Sequence, residues 1–174
     1  MKFLPDVYNK SVFDIDYKKL KEKGIKCLAF DLDNTLTTIE KKGFSDKALT
    51  LVNKLKKDFT IVIISNNPSK KRVSYYAEKL GVEYVYFAVK PFTFGLRKIS
   101  KRFNVLPSEI AMIGDQFLTD VYSAHRFKAM AILVDQLDEK DEQITKINRL
   151  IERRIEKKFL KQGVFERGKY YDGK

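Results

Sequence analysis

Four short clusters hold most of the residues with chemistry to offer. They are Asp31-Leu32-Asp33-Asn34-Thr35-Leu36, Ser65-Asn66-Asn67-Pro68, Lys90-Pro91, and Gly114-Asp115-Gln116-Phe117-Leu118-Thr119-Asp120. Asp31 and Ser65 stand 34 residues apart; Lys90 follows after 25 more and Asp115 after another 25. Bringing Asp31, Asp33, Asp115 and Asp120 together costs Coulomb energy unless a cation sits among them. Hard carboxylate oxygens with no soft ligand suit Mg2+, which orients a phosphoryl group and offsets its charge. Lys90 adds a second positive charge, and the Ser65 hydroxyl can donate to a phosphoryl oxygen. One carboxylate can then attack phosphorus to give an aspartyl-phosphate. Its neighbour two residues on can protonate the leaving oxygen and later activate water.

Each cluster taken singly has a plainer reading. An Asp at a strand end caps a helix, Ser-Asn-Asn-Pro makes a turn, and a lone Lys is a solvated charge. What points to chemistry is all four in this order, each after an apolar run. Asn34 adds a detail: a tight turn after the second Asp calls for positive φ, which Asn tolerates better than most residues.

The elements that must position these residues are legible as alternating patterns. Near-continuous apolar runs at 25–30, 59–64, 84–89, 110–113 and 129–134 suit strands covered on both faces. Ala48, Leu51, Val52 and Leu55 share a helical face, as do Val73, Tyr76, Ala77 and Leu80, with Gly81 as a stop. Leu96, Ile99 and Phe103 predict a third helix and Asp120–His125 a fourth. Such alternation predicts an α/β fold, a three-layer Rossmann-like parallel sheet with helices on both faces. In that architecture ligands sit outside the carboxyl ends of the strands, where the four clusters fall.

Composition bounds the alternatives. The chain has 174 residues, enough for one domain. Its single cysteine, Cys27, excludes an intrachain disulfide framework, and with a single histidine, His125, no Cys/His zinc site is available within one chain. Nor does a nucleophile elbow accompany His125. The longest apolar runs are far short of the roughly 20 residues of a membrane span, and the start lacks a signal-peptide apolar region. The expectation is a cytoplasmic protein. A formal charge of +12 favours anionic partners without choosing among phosphorylated substrates, nucleic acid and acidic lipid headgroups.

The pattern resembles the haloacid dehalogenase (HAD) superfamily of phosphatases, over roughly residues 25–135. The resemblance implies Asp31 as nucleophile and Asp33 as general acid/base, with Ser65, Asn66 and Lys90 as phosphoryl contacts. It implies Mg2+ held by Asp31, the backbone carbonyl of Asp33, and Asp115, with Asp120 assisting. Asn34 departs from the Gly of many members. More narrowly, Phe3-Leu4-Pro5, the Asp-Leu-Asp-Asn-Thr-Leu core, Ser65-Asn66-Asn67, Lys90-Pro91 and Gly114-Asp115-Gln116 resemble the YqeG-type, subfamily IIIA phosphatases. Relatives of those include phosphatidylglycerophosphate phosphatases, which implies a lipid monophosphate as substrate.

The intervals between clusters leave no room for a large cap domain, and the stretch from Thr37 to Phe44 allows only a short flap. An open site favours a macromolecular or membrane-borne phosphate. One HAD-like domain is expected to fill the chain, with an N-terminal extension at 1–24 and a basic C-terminal helix and tail at about 141–174. On that helix Ile144, Ile147, Ile151, Ile155 and Phe159 share a stripe, while Arg149, Arg153, Arg154, Lys157, Lys158 and Lys161 cover the other side. The stripe is expected to pack on the domain; peripheral membrane contact is the other role open to it. Two rivals to a lipid phosphatase remain at this stage. One is a polynucleotide or phosphoprotein phosphatase using the same site. The other is a non-catalytic protein of the same fold whose tail binds RNA or membrane.

Overall fold

The computed structural model describes residues 2–38, 43–138 and 143–173, and for residues 143–149 the backbone alone. Six parallel strands form one sheet: β1 (Val7–Asn9), β2 (Cys27–Phe30), β3 (Thr60–Ile64), β4 (Glu83–Val85), β5 (Ile110–Gly114) and β6 (Met130–Val134). Their order is β1-β6-β5-β2-β3-β4. The apolar runs alternate between two cores because successive side chains of a strand point to opposite faces. Leu28, Phe30, Ile61, Ile63 and Ile113 enter one core. Cys27, Ala29, Val62, Ile64 and Met112 enter the other.

Helices α1 (Tyr17–Glu22), α2 (Asp46–Leu55) and α3 (Lys70–Leu80) cover the first face. Helices α4 (Phe94–Phe103) and α5 (Tyr122–Phe127) cover the second. Local chemistry fixes their ends. The hydroxyls of Ser45 and Ser69 accept from the backbone N–H groups of Ala48 and Arg72, and Gly81 ends α3 at φ 61°. Among the described residues no inserted domain interrupts the four clusters. Residues 39–42 of the expected flap lie outside the described part.

The run at 84–89 does not continue as a strand. Pairing stops at Val85, and Phe87 and Val89 take positive φ values of 46° and 54°. The Phe87 N–H donates to the Asn67 carbonyl (3.1 Å) and the Ala88 N–H to that of Ser65 (2.9 Å). The chain therefore turns across the strand end instead of running past it.

The extensions complete the sheet. β1 lies in the N-terminal segment, and Tyr171 bridges to Tyr8 on its outer side through two 2.8 Å backbone hydrogen bonds, so that edge is covered. The last helix, α6 (Gln143–Lys161), is followed by a tail whose Phe165 packs edge-on against Phe117, with Phe159 beside it. The face it buries differs from the expected stripe. Ile151 is 42% exposed, whereas Glu152 and Phe159 are buried and Ile155 packs partly against the core. The side chains of Ile144, Ile147 and Arg149 lie outside the described residues. The reason for the rotation is Glu152, whose carboxylate accepts the Leu118 N–H at 3.0 Å.

The N-terminal segment is also tied to α5. The His125 ring meets the Asp6 carboxylate (3.2 Å) and the Lys2 carbonyl (3.1 Å), and Asp6 accepts the Ala131 N–H (2.7 Å). The hydrogen bond to Asp6 raises the His125 pKa against the opposing effect of burial. Only the imidazolium donates from both nitrogens. Replacing His125 by Ala is expected to lower the unfolding free energy by on the order of 1 kcal/mol in mild acid. The folded-state pKa lies above the unfolded one, so the contribution is complete below about pH 6.5 and fades as pH rises through the folded-state value. Urea titrations at about pH 5.5 and about pH 8.5 check this; an equal deficit at both contradicts it.

Candidate active site

Phe30 of β2 pairs with Ile63 of β3 on one side and Ile113 of β5 on the other. The residues that follow therefore leave the sheet at one level. The chain runs from β2 to β3 and β4, then returns to place β5 on the far side of β2, so the strand order reverses between β2 and β5. This is the crevice where open α/β sheets take ligands. Asp31 begins there, its N–H donating to the Ile113 carbonyl (2.8 Å). Asp115 follows β5, and Ser65 follows β3.

Carboxylate oxygens of Asp31, Asp115 and Asp120 all lie within 4.8 Å of one another, and all three residues are buried. The Asp33 carboxylate is not in this group. Lys90, only 7% exposed, brings its Nζ to Asp31 Oδ1 (2.5 Å), Asp120 Oδ1 (2.6 Å) and the Ile64 carbonyl (3.3 Å). Thr35 donates its hydroxyl to Asp115 Oδ1 (3.3 Å). Asp120 is brought in by a π-helical turn at Phe117–Val121 and accepts the Gln116 N–H (3.1 Å). Gly114 makes room: a Cβ there would lie 2.2 Å from Asp120 Oδ2.

The electrostatics leave a deficit of positive charge. Burial drives the Asp31 pKa well above the usual carboxylate range; Lys90 opposes this, while Asp120 and Asp115 add to it. For Lys90, burial disfavours the charge, but Asp120 and Asp31 outweigh it and hold the ammonium pKa above its ordinary value. Three carboxylates around one ammonium carry a surplus of two negative charges when ionised. A divalent cation offsets that surplus, and an all-oxygen donor set fits a hard one.

The remaining residues singled out from sequence line the same edge. Asn34 has φ 63°, as a turn after Asp33 requires. Ser65 is buried, and its Oγ accepts the Asn67 N–H (3.0 Å). Asn66 clamps the backbone of Lys90 from both sides, accepting its N–H at 2.7 Å and donating to its carbonyl at 2.9 Å. Two residues were not anticipated. Arg72, in the first turn of α3, donates from Nη2 to Asp33 Oδ1 (2.6 Å); in the sequence nothing separates it from Lys70 and Lys71. Glu152 fixes the N–H of Leu118 inside the Asp115–Asp120 loop, a role with no local signature.

The family model described as mitochondrial PGP phosphatase matches residues 1–137. The chain belongs to this family of phosphatases. A relative named probable phosphatase YqeG, from Bacillus subtilis, is 34% identical over 153 residues, covering 88% of this chain and 89% of that protein. Phosphatidylglycerophosphate phosphatase 1 of Arabidopsis thaliana is 27% identical over 171 residues, covering 92% of this chain; the match spans 49% of the plant protein. Among solved structures, the cobalt-bound deoxy-D-mannose-octulosonate 8-phosphate phosphatase of Haemophilus influenzae superposes with a TM-score of 0.51 at 17% identity. That match covers 84% of this chain and 95% of that one, and it shows the shared HAD-like fold. The chain is thus a phosphatase of the YqeG type. Replacing Asn66 by Ala removes two hydrogen bonds from the Lys90 backbone, worth together roughly 1–2 kcal/mol. It is expected to lower kcat/KM for an aryl phosphate about tenfold, with the melting temperature lowered by only a few degrees. An unchanged kcat/KM contradicts the clamp.

Proposed function

We propose that the chain is a Mg2+-dependent phosphomonoester hydrolase that works through an aspartyl-phosphate on Asp31, with phosphatidylglycerophosphate as its substrate. The observation that carries this reading is the gathering of Asp31, Asp115 and Asp120 around Lys90 at the strand-order reversal. The surplus negative charge there matches Mg2+, with Asp31, Asp115, Asp120 and the backbone carbonyl of Asp33 as its ligands. When bound, the ion neutralises phosphoryl oxygens and orients the phosphorus.

Asp31 attacks phosphorus, and the bond to the leaving alkoxide breaks. Asp33 gives that oxygen its proton. Asp33 then takes a proton from water, whose oxygen attacks the phosphorus and releases phosphate and the Asp31 carboxylate. Lys90 and Ser65 hold the phosphoryl oxygens, and Asn66 holds Lys90. Arg72 keeps one oxygen of Asp33 in place at the start of α3 and so sets where the acid/base stands.

Two observations support a lipid monophosphate: the family match and the plant relative's name. A third is the site's lack of an inserted cap among the described residues, which leaves it open to a substrate held in another phase. No helix of the described residues is long and apolar enough to cross a membrane. A cytoplasmic enzyme that meets its lipid at the bilayer surface fits these facts.

Asp31→Asn is expected to lower aryl phosphate hydrolysis by at least ~10³-fold, and removal of Mg2+ by EDTA to abolish it reversibly. Unchanged turnover in the variant excludes Asp31 as nucleophile. The substrate is tested by comparing phosphatidylglycerophosphate in vesicles with a phosphorylated oligonucleotide and a phosphopeptide. A kcat/KM at least about tenfold higher for the lipid is expected, and preference for either polymer overturns the lipid reading.

A further inference from the structure

Lys90 does not come from a quiet stretch of surface. On both sides of it large apolar side chains stand in solvent: Phe87 is 60% exposed, Phe92 50% and Phe94 67%, with Val89 exposed beside them. Large apolar side chains gathered in one exposed loop, two of them in ring contact, mark a candidate interaction site. The loop is held in this posture. Phe87 and Val89 sit at positive φ, a conformation unfavourable for an L-residue and rare for a β-branched side chain. Between them, Ala88 is buried and bonded to the Ser65 carbonyl. The Phe92 N–H closes a turn onto the Val89 carbonyl (2.9 Å), and the Phe92 and Phe94 rings stack at 6.1 Å.

The ground next to this patch is cationic. Arg126 lies over the Phe92 ring at 5.4 Å and donates to the Pro91 carbonyl (3.2 Å). It also lines an open groove of about 410 Å3 together with Arg97, Lys101 and Lys128, and no acidic residue lines that groove among the described residues. Exposed aromatic rings bordered by arginine and lysine fit the boundary between acyl chains and anionic headgroups. Helix α6 is the rival face: Phe159 is buried in the domain, but Leu150, Ile151 and Leu160 stand exposed beside Arg153, Arg154 and Lys157; what distinguishes the loop is that its exposed side chains flank Lys90.

We propose that Phe87, Val89, Phe92 and Phe94, with the neighbouring groove of Arg97, Lys101, Arg126 and Lys128, form a docking surface for an anionic phospholipid bilayer. The surface builds on the lipid-substrate reading and adds its geometry. Lys90 lies between Val89 and Phe92 in the chain, so seating the loop in the headgroup layer brings the catalytic edge of the sheet to the membrane plane. A phosphomonoester in that plane reaches Asp31 while its acyl chains stay in the bilayer.

The test is flotation of the full chain with vesicles of phosphatidylcholine alone or mixed with phosphatidylglycerol, neither of which carries a phosphomonoester. Binding only to the anionic vesicles is expected, and the double variant Phe92→Ser/Phe94→Ser is expected to weaken it at least tenfold with an unchanged melting temperature. Equal binding by the double variant and the wild type overturns the proposal. So does loss of binding in Arg154→Ala/Lys157→Ala on α6 with retention in the loop variant, and so does absence of vesicle binding alongside capture of an RNA oligomer. Because these vesicles hold no substrate, vesicle binding through the loop by a chain that does not hydrolyse phosphatidylglycerophosphate supports the docking surface and refutes only the lipid-substrate reading.

Discussion

Three carboxylates and one ammonium, nearly sealed from water, set the terms for the rest of the molecule. Two carboxylates about 4 Å apart repel by about 4 kcal/mol at an effective dielectric constant near 20, so Asp31, Asp115 and Asp120 do not gather by preference. They are held together because the backbone leaves them no alternative. β2 and β5 are hydrogen-bonded neighbours, and Asp31 and Asp115 are the residues at which each leaves the sheet. Lys90 offsets part of the repulsion by bonding two of the three. The part it does not offset leaves a net negative charge that a divalent cation would balance, and the closeness of the carboxylates depends on the sheet staying rigid.

That dependence explains why segments far from the chemistry are bonded so closely to it. Asp120 reaches the cluster through a π-helical turn whose Leu118 N–H is taken up by Glu152 of α6. Phe117 of the same turn packs with Phe165 of the tail, and Tyr8 of β1 packs with it as well. The C-terminal segment therefore supports the acidic loop from behind while Arg153, Arg154, Lys157 and Lys158 face solvent. A carboxylate such as Glu152 is rarely buried this fully, and here it serves a backbone donor in a loop that has irregular hydrogen bonding.

The sequence carries the order and spacing of the clusters, the alternation of strands and helices and the left-handed turn at Asn34, because each depends on local chain geometry. Three features depend on partners distant in the chain and left no local trace. The aromatic and β-branched residues at 84–89 read as strand, yet the hydrogen bonds to Asn67 and Ser65 turn the chain at Val85. Arg72 sits in a row of cations, and only the position of α3 against β2 selects it for Asp33. A helical wheel phases α6 on its isoleucines, whereas one buried Glu152 with a fixed acceptor task rotates the helix enough to leave Ile151 in solvent.

The exposed aromatic loop and the buried Lys90 share one stretch of backbone, and this limits how the two can vary. Asn66 bonds both backbone groups of Lys90, and the Asn67 and Ser65 carbonyls take the N–H groups of Phe87 and Ala88. The same strand end thus fixes where Lys90 enters the carboxylates and where the neighbouring side chains leave the surface. A shift of the loop that buried Phe87 would pull on the bonds that aim Lys90, so the exposure of these rings follows from the geometry that serves the chemistry. Such coupling makes the orientation of the site relative to any surface it meets as well defined as the site itself.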